Sequence, residues 1–125
     1  MDLGLGRIGQ IHISITDIDR SVSFYRDSLG LPFLFQVPGQ PMAFFDAGGT
    51  RLYLGVPEDA AYTSHPVLYF TTDDIRAAHR ELTQRGVQFV DEPHVVHRDR
   101  DTETWMTFFV DPDGTRLGLM SEQQA

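Results

Sequence analysis

The sequence predicts an α+β fold built from two tandem βαβββ modules, and three observations carry that prediction. The chain repeats itself: Met42-Ala43-Phe44-Phe45 followed by Gly49-Thr50-Arg51-Leu52-Tyr53-Leu54 recurs as Met106-Thr107-Phe108-Phe109 followed by Gly114-Thr115-Arg116-Leu117-Gly118-Leu119. Thr16-Asp17 and Gly30-Leu31-Pro32-Phe33 recur, at an offset of 56 residues (17 to 73, 30 to 86), as Thr72-Asp73 and Gly86-Val87-Gln88-Phe89. Within each copy the apolar period switches from two to about 3.6 and back, the mark of strand, helix and strands again. With 125 residues, 41% of them apolar, the chain has enough for one core. A single domain over 1–125 is expected, with module one at about 8–57 and module two at about 66–121. A repeat of this length is a unit that buries its apolar face by pairing with its twin.

The elements follow in order. Gln10-Ile11-His12-Ile13-Ser14-Ile15 alternates polar residues with isoleucine, a half-buried strand. Asp17 caps a helix whose Ile18, Val22, Tyr25 and Leu29 form one stripe and which Gly30 closes. Strands are predicted near 33–37, 42–46 and 51–56, the last two joined by an Ala47-Gly48-Gly49-Thr50 turn. A linker near 57–65 leads to the second copy: a strand at 67–72, then a helix starting at Asp73 with Ile75, Ala78 and Leu82 inward and Gly86 at its end. Strands near 87–90, 94–97, 105–110 and 116–120 complete it, with Asp111-Pro112-Asp113-Gly114 as the final turn. The offset grows to 65 by the second Gly-Thr-Arg (49 to 114), so this copy carries about nine extra residues within 91–105.

Charge and composition exclude several classes of function. Eighteen Asp and Glu against 10 Lys and Arg give a net charge of −8, which opposes a nucleic-acid partner or an anionic membrane surface. A neutral or cationic small molecule is compatible. The chain has no cysteine, so disulfides, thiolate nucleophiles and zinc-thiolate sites are excluded. The start Met1-Asp2-Leu3-Gly4-Leu5-Gly6 lacks the charged and apolar regions of a signal peptide, and no apolar run reaches membrane-spanning length. A cytoplasmic protein is expected.

Two longer motifs carry a resemblance. The run Asp17-Ile18-Asp19-Arg20-Ser21-Val22-Ser23-Phe24-Tyr25-Arg26-Asp27-Ser28-Leu29-Gly30-Leu31 and the closing Phe108-Phe109-Val110-Asp111-Pro112-Asp113-Gly114 resemble the vicinal oxygen chelate superfamily. That group includes glyoxalase I, extradiol dioxygenases, methylmalonyl-CoA epimerase, fosfomycin-modifying enzymes and bleomycin-resistance binding proteins. The resemblance implies a cup-shaped mixed sheet with helices outside, and in the enzymes a divalent metal held by residues of the first and last strands of the modules. Counting from the matched motifs, the positions where the family places ligands hold Gln10, Val67, Tyr53 and Gly118. None is a strong metal ligand. The expectation is therefore a branch of the superfamily without metal or other cofactor, its cup binding a small organic molecule.

Alternation lists the residues that would face such a cup. Gln10, His12 and Ser14 lie opposite the isoleucines; Arg51 and Tyr53 lie opposite Leu52 and Leu54; Arg116, Gly118 and Met120 lie opposite Leu117 and Leu119; Val67, Tyr69 and Thr71 share one face. His12 is either a core histidine satisfied by its neighbours or a proton-transfer residue. Arg51 and Arg116 are read as solvated rather than as an anion clamp. In the insert, His94 and His97 are three apart and so would take opposite faces of a regular strand. Glu103, Trp105, Thr107 and Phe109 share one face of the next strand: either that face lines the cup, making Trp105 a stacking platform and Glu103 an acid or base, or Met106, Phe108 and Val110 line it and Trp105 is core.

Together these residues define the candidate site: His12, Tyr53 and Glu103 for chemistry; Gln10, Ser14, Val67, Tyr69, Trp105 and Met120 for contact with the ligand. Three functions fit: a binding module, a metal-independent isomerase or lyase, or a metal-dependent glyoxalase or dioxygenase with ligands relocated to His12 and His65. Exposed sheet edges predict a homodimer.

Overall fold

Alternating Ile11, Ile13 and Ile15 do form a strand with one dry face. The computed structural model describes residues 2–124, which divide after His65 into two compact units. The first holds β1 (Gln10–Ser14), α1 (Ile18–Ser23), β2 (Phe33–Gln36), β3 (Met42–Ala47) and β4 (Thr50–Gly55). Its sheet runs β1-β4-β3-β2, with β1 and β4 parallel and the other pairs antiparallel. Asp17 caps α1 by accepting the Arg20 N–H at 3.2 Å. The helix does not stay α to Leu29, as the apolar stripe predicts. It widens into a π turn over Phe24–Ser28, where the Leu29 N–H donates to the Phe24 carbonyl at 2.9 Å, and Gly30 ends it at φ 75°.

Ala47 and Thr50 pair across Gly48 and Gly49, whose φ values of 64° and 96° are those of a two-residue hairpin. The aliphatic face of β1 and β4 then packs beneath α1, with Ile13, Val22, Tyr25, Phe45, Leu52 and Leu54 buried.

The second unit repeats the plan with β5 (Leu68–Thr71), α2 (Ile75–Gln84), β6 (Gln88–Phe89), β7 (His94–Asp99), β8 (Thr102–Val110) and β9 (Arg116–Gln124). Its sheet runs β5-β9-β8-β6, with β7 also on β8 and β5 parallel to β9. Asp74, not the expected Asp73, caps α2 by accepting the Ala77 N–H at 3.0 Å. The pair Phe89–Phe109 repeats the pair Phe33–Phe45, so the registers of the two copies agree. The extra residues become β7 and its hairpin with β8, whose tip holds Arg100 at φ 52°. Strand β9 outruns its predicted end because β8 pairs with it as far as Gln124. Each unit is thus α+β with a mixed sheet and a helix on one face. No helix among the described residues is long and apolar enough to cross a membrane.

Candidate functional site

The register of the first sheet lines up four rings. His12 on β1 pairs with Tyr53 on β4, Tyr53 with Phe44 on β3, and Phe44 with Phe35 on β2. Directly paired residues share a face, and this one is opposite Leu52 and Leu54. A bulge in β2 sends Phe33 to the helix side and Phe35 to the open side, although the two are only two residues apart. The Phe35 and Phe44 ring centres are 4.6 Å apart, Phe44 and Tyr53 5.1 Å, and Tyr53 and His12 4.7 Å. That spacing is close to the strand separation, so the rings stack along the row and turn their edges outward. Tyr53 leans along its own strand onto Gly55, where a Cβ would come within 2.7 Å of the phenol. Only glycine at 55 leaves the ring this seat.

The row ends at His12 in a cavity of about 480 Å³. Its walls include Gln10, His12 and Tyr53 from the sheet and Glu58, Tyr62 and Ser64 from the segment that follows β4. This segment is shaped locally and pinned at one end. The Asp59 carboxylate accepts the Ala61 N–H at 2.9 Å and starts a single 3₁₀ turn over Ala60–Tyr62. The Ser14 N–H donates to the Ser64 carbonyl at 2.8 Å, and the Ser64 N–H donates back to Ser14 Oγ at 2.8 Å.

The same hydroxyl lies 3.1 Å from His12 Nε2. Ser14 Oγ accepts from Ser64 on one lone pair and pairs with Nε2 as donor or acceptor according to the imidazole tautomer. His12 Nδ1 is buried with no hydrogen-bond partner among the described residues. Burial lowers the His12 pKa below 6.5; the Tyr53 backbone opposes this without completing a hydrogen bond, and the nearby His65 lowers it further. The ring is therefore held toward its neutral form at neutral pH.

The second unit offers a different face. There Tyr69 and Phe108 flank Gly118 in register, occupying the places of His12, Phe44 and Tyr53. A Cβ on Gly118 would stand 3.1 Å from both rings, which meet edge to face at 5.7 Å. Met120 pairs with Met106 and Thr71 on this open face, while Val67 falls just outside β5 and is exposed. Glu103 and Trp105 go to the other face. Trp105 lies under the Arg76 guanidinium of α2 at 4.8 Å, and its indole N–H donates to Glu103 at 3.3 Å. Arg98, donating at 2.7 Å, holds the Glu103 carboxyl below the usual range. Of the two alternatives for this strand, the structure takes the one in which Met106, Phe108 and Val110 share the open face. Glu103 and Trp105 therefore lie on the helix side of their own sheet, off its open face.

A correction concerns His94 and His97. A bulge after Val95 pairs His94 with Met106 and His97 with Thr104, so both take the open face instead of opposite ones. His65, offered as a relocated metal ligand, lies in the connecting segment outside β5. No three His, Cys, Asp or Glu side chains converge to hold a metal ion among the described residues. An amide, a phenol, a valine and a glycine at the four inherited positions do not fit one either.

Comparison with known proteins agrees with this fold. The family model of the Glyoxalase/Bleomycin resistance protein/Dioxygenase superfamily matches residues 7–119. The chain belongs to this superfamily. Among superfamily relatives, the uncharacterized protein YraH of Bacillus subtilis is 30% identical over 120 residues, covering 83% of this chain and 89% of that protein. The metallothiol transferase FosB of Staphylococcus epidermidis is 31% identical over 119 residues, covering 90% and 81%. A crystal structure of a superfamily member from Sphaerobacter thermophilus superposes with a TM-score of 0.75 at 26% identity, covering 95% of this chain and 99% of that one.

Sequence reasoning placed Gln10, His12, Ser14 and Tyr53 correctly on one face but read residues 57–65 as a plain linker. Glu58, Tyr62 and Ser64 were missed. The available signal was an Asp59-led turn presenting a tyrosine.

Proposed function

We propose that this superfamily member binds a small organic molecule in the cavity beside His12 and Tyr53 without a resident metal. The observation that carries this reading is the row of four rings ending at a cavity lined in part by His12, which is held toward its neutral form and has a buried, unpartnered Nδ1 among the described residues. Leaving such a nitrogen unmet costs about 1–3 kcal/mol, a cost tolerated more often at functional sites than elsewhere. The cavity lies within the usual range of ligand sites, and its walls mix rings with an amide, hydroxyls and one carboxylate. The name of FosB, a metallothiol transferase, points to metal chemistry in that relative. The donor set of this chain supports no such step.

A second reading is metal-independent proton transfer, favoured by the lowered His12 pKa beside a phenol. Titration of ¹⁵N-labelled protein with a library of small aromatic fragments tests the site. Shifts centred on Gln10, His12, Tyr53 and Ser64, and weakened by Tyr53→Phe by about 0.5–1.5 kcal/mol, are expected. Shifts centred on the second unit would overturn the reading. A turnover loss of about 10²–10⁴-fold on His12→Ala, with affinity retained, would select the catalytic version. Stoichiometric Zn, Ni, Fe or Mn surviving dialysis would remove the metal-free part.

We further propose a homodimer. All four residues of edge strand β2 are exposed, among them Phe33, Leu34 and Phe35, an apolar edge that proteins rarely leave open. Light scattering should give about 28 kDa, twice the 14.1 kDa chain; a monomer at micromolar concentration contradicts it. The cysteine-free composition supports a cytoplasmic setting.

A further inference from the structure

The geometry points to an organic cation as the ligand of the first-unit cavity, with the Glu58 carboxylate as its counter-charge and the exposed Tyr62 ring as its π surface. This inference rests on the cavity being the binding site and adds the chemical class of what enters it.

Three features of the wall lead there. Glu58 carries the only formal charge among the lining side chains, and it forms no ion pair or hydrogen bond among the described residues. The remaining polar groups are the Gln10 amide, the imidazole of His12, two phenols and two hydroxyls, none of which brings a positive charge at neutral pH. Arg51 is the basic residue nearest along the sheet. Its guanidinium lies 5.4 Å from Phe44 and 6.0 Å from Phe35, on the part of the row away from His12, and it does not line the cavity. An anion would therefore meet Glu58 with no charged side chain on the wall to compensate it, whereas an ammonium or cationic ring would find a carboxylate and the Tyr62 ring together.

Tyr62 supports the same polarity. It is 71% exposed on the 3₁₀ turn, its side chain has no hydrogen-bond or ring partner among the described residues, and it stands on the wall of a cavity large enough for an aromatic amine. Ring faces attract cations and are indifferent to neutral groups of the same shape, more strongly as water is excluded. The net charge of −8 draws cations toward the molecule at low ionic strength and repels anions. Tyr53 keeps its place only while Gly55 lacks a side chain, so the shape of the wall beside His12 depends on Gly55.

The test uses one phenyl ring with three headgroups: benzyltrimethylammonium, benzyl alcohol and benzoate, each titrated calorimetrically into the full chain. The cation should bind at least about tenfold more tightly than the alcohol, with benzoate weakest. Glu58→Gln, an exposed substitution, should bring the cation to within about threefold of the alcohol and leave the alcohol unchanged, and added salt should weaken the cation selectively. Equal or tighter binding of benzoate or benzyl alcohol, or a cation preference that survives Glu58→Gln, would overturn the inference. If the alcohol binds and Tyr53→Phe or His12→Ala weakens it, the cavity is a site for uncharged ligands and only the charge assignment falls. If none of the three binds, both readings fall.

Discussion

The two open faces of this molecule start from the same backbone plan and end in opposite surfaces. In the first unit, Phe35, Phe44 and Tyr53 cross the sheet as stacked rings and His12, tilted 44° to Tyr53, ends the row at a cavity. In the second, the position of Tyr53 is Gly118, and Tyr69 and Phe108 close over it in edge-to-face contact. A ring on the middle strand holds its neighbours apart as stacked partners; a glycine lets them fall together and fill the space. One residue per row thus decides whether a repeated sheet presents a wall of ring edges or a closed aromatic contact. The two units share a backbone plan, and this difference between them resides in side-chain choices on the face away from the helix.

The comparison can be broken most forcefully in the shared core. Phe45 and Phe109 occupy equivalent positions, pair with Phe33 and Phe89 in matching registers, and are both fully buried. Phe45→Ala and Phe109→Ala should each cost about 3–5 kcal/mol in urea denaturation. A much smaller loss at one of them would show that the two scaffolds are not energetically equivalent.

Next in size are the glycines. At Gly55 an added methyl meets the Tyr53 ring at 2.7 Å, and at Gly118 it meets two rings at 3.1 Å. Gly55→Ala should destabilise by about 1–3 kcal/mol and displace Tyr53 from its stack, visible as altered Tyr53 and His12 ring resonances. Gly118→Ala should cost less, because both opposing rings have only a few tenths of an ångström to yield. The reverse order, measured by chemical denaturation, would refute the seating of Tyr53 on Gly55.

The smallest effect is the dependence on pH. The folded-state pKa of His12 lies below the unfolded value near 6.5, so the unfolded chain takes up the proton first as pH falls. This contribution to stability is complete above 6.5 and is lost as pH descends through that value toward the folded pKa. His12→Gln should flatten the fall in urea midpoint between pH 7.5 and 5.5 relative to the wild type. Identical slopes would mean that His12 is not held neutral by burial. The second unit has Tyr69 at the equivalent place and should contribute no such step there.

How much of this was legible beforehand differs between fold and site. Strand phases were readable because one face of each sheet is dry: Ile13, Leu52, Leu54, Leu117 and Leu119 are buried as their alternation required, and their neighbours follow from the pleat. The hairpin at Gly48-Gly49 and the turn at Gly114 were readable because their left-handed backbone demands glycine. Bulges were not. Each adds one unpaired residue whose cause lies in the partner strand, and they determined the faces of Phe35, His94 and His97. The face of Trp105 was equally hidden, since Glu103-Thr104-Trp105-Met106 has apolar residues on both sides; the packing of α2 and the reach of Arg76 resolved it.

The sequence by itself determined the repeat, the α+β modules, the superfamily and the weak metal-donor character of Gln10, Tyr53, Val67 and Gly118, because these depend on residue type and spacing along the chain. Only the tertiary structure decided that a polar segment with no periodicity, residues 57–64, becomes the wall of a cavity. The reason is that its end is pinned through Ser64 to Ser14, fifty residues away in the chain, and a contact of that range leaves no local pattern to read.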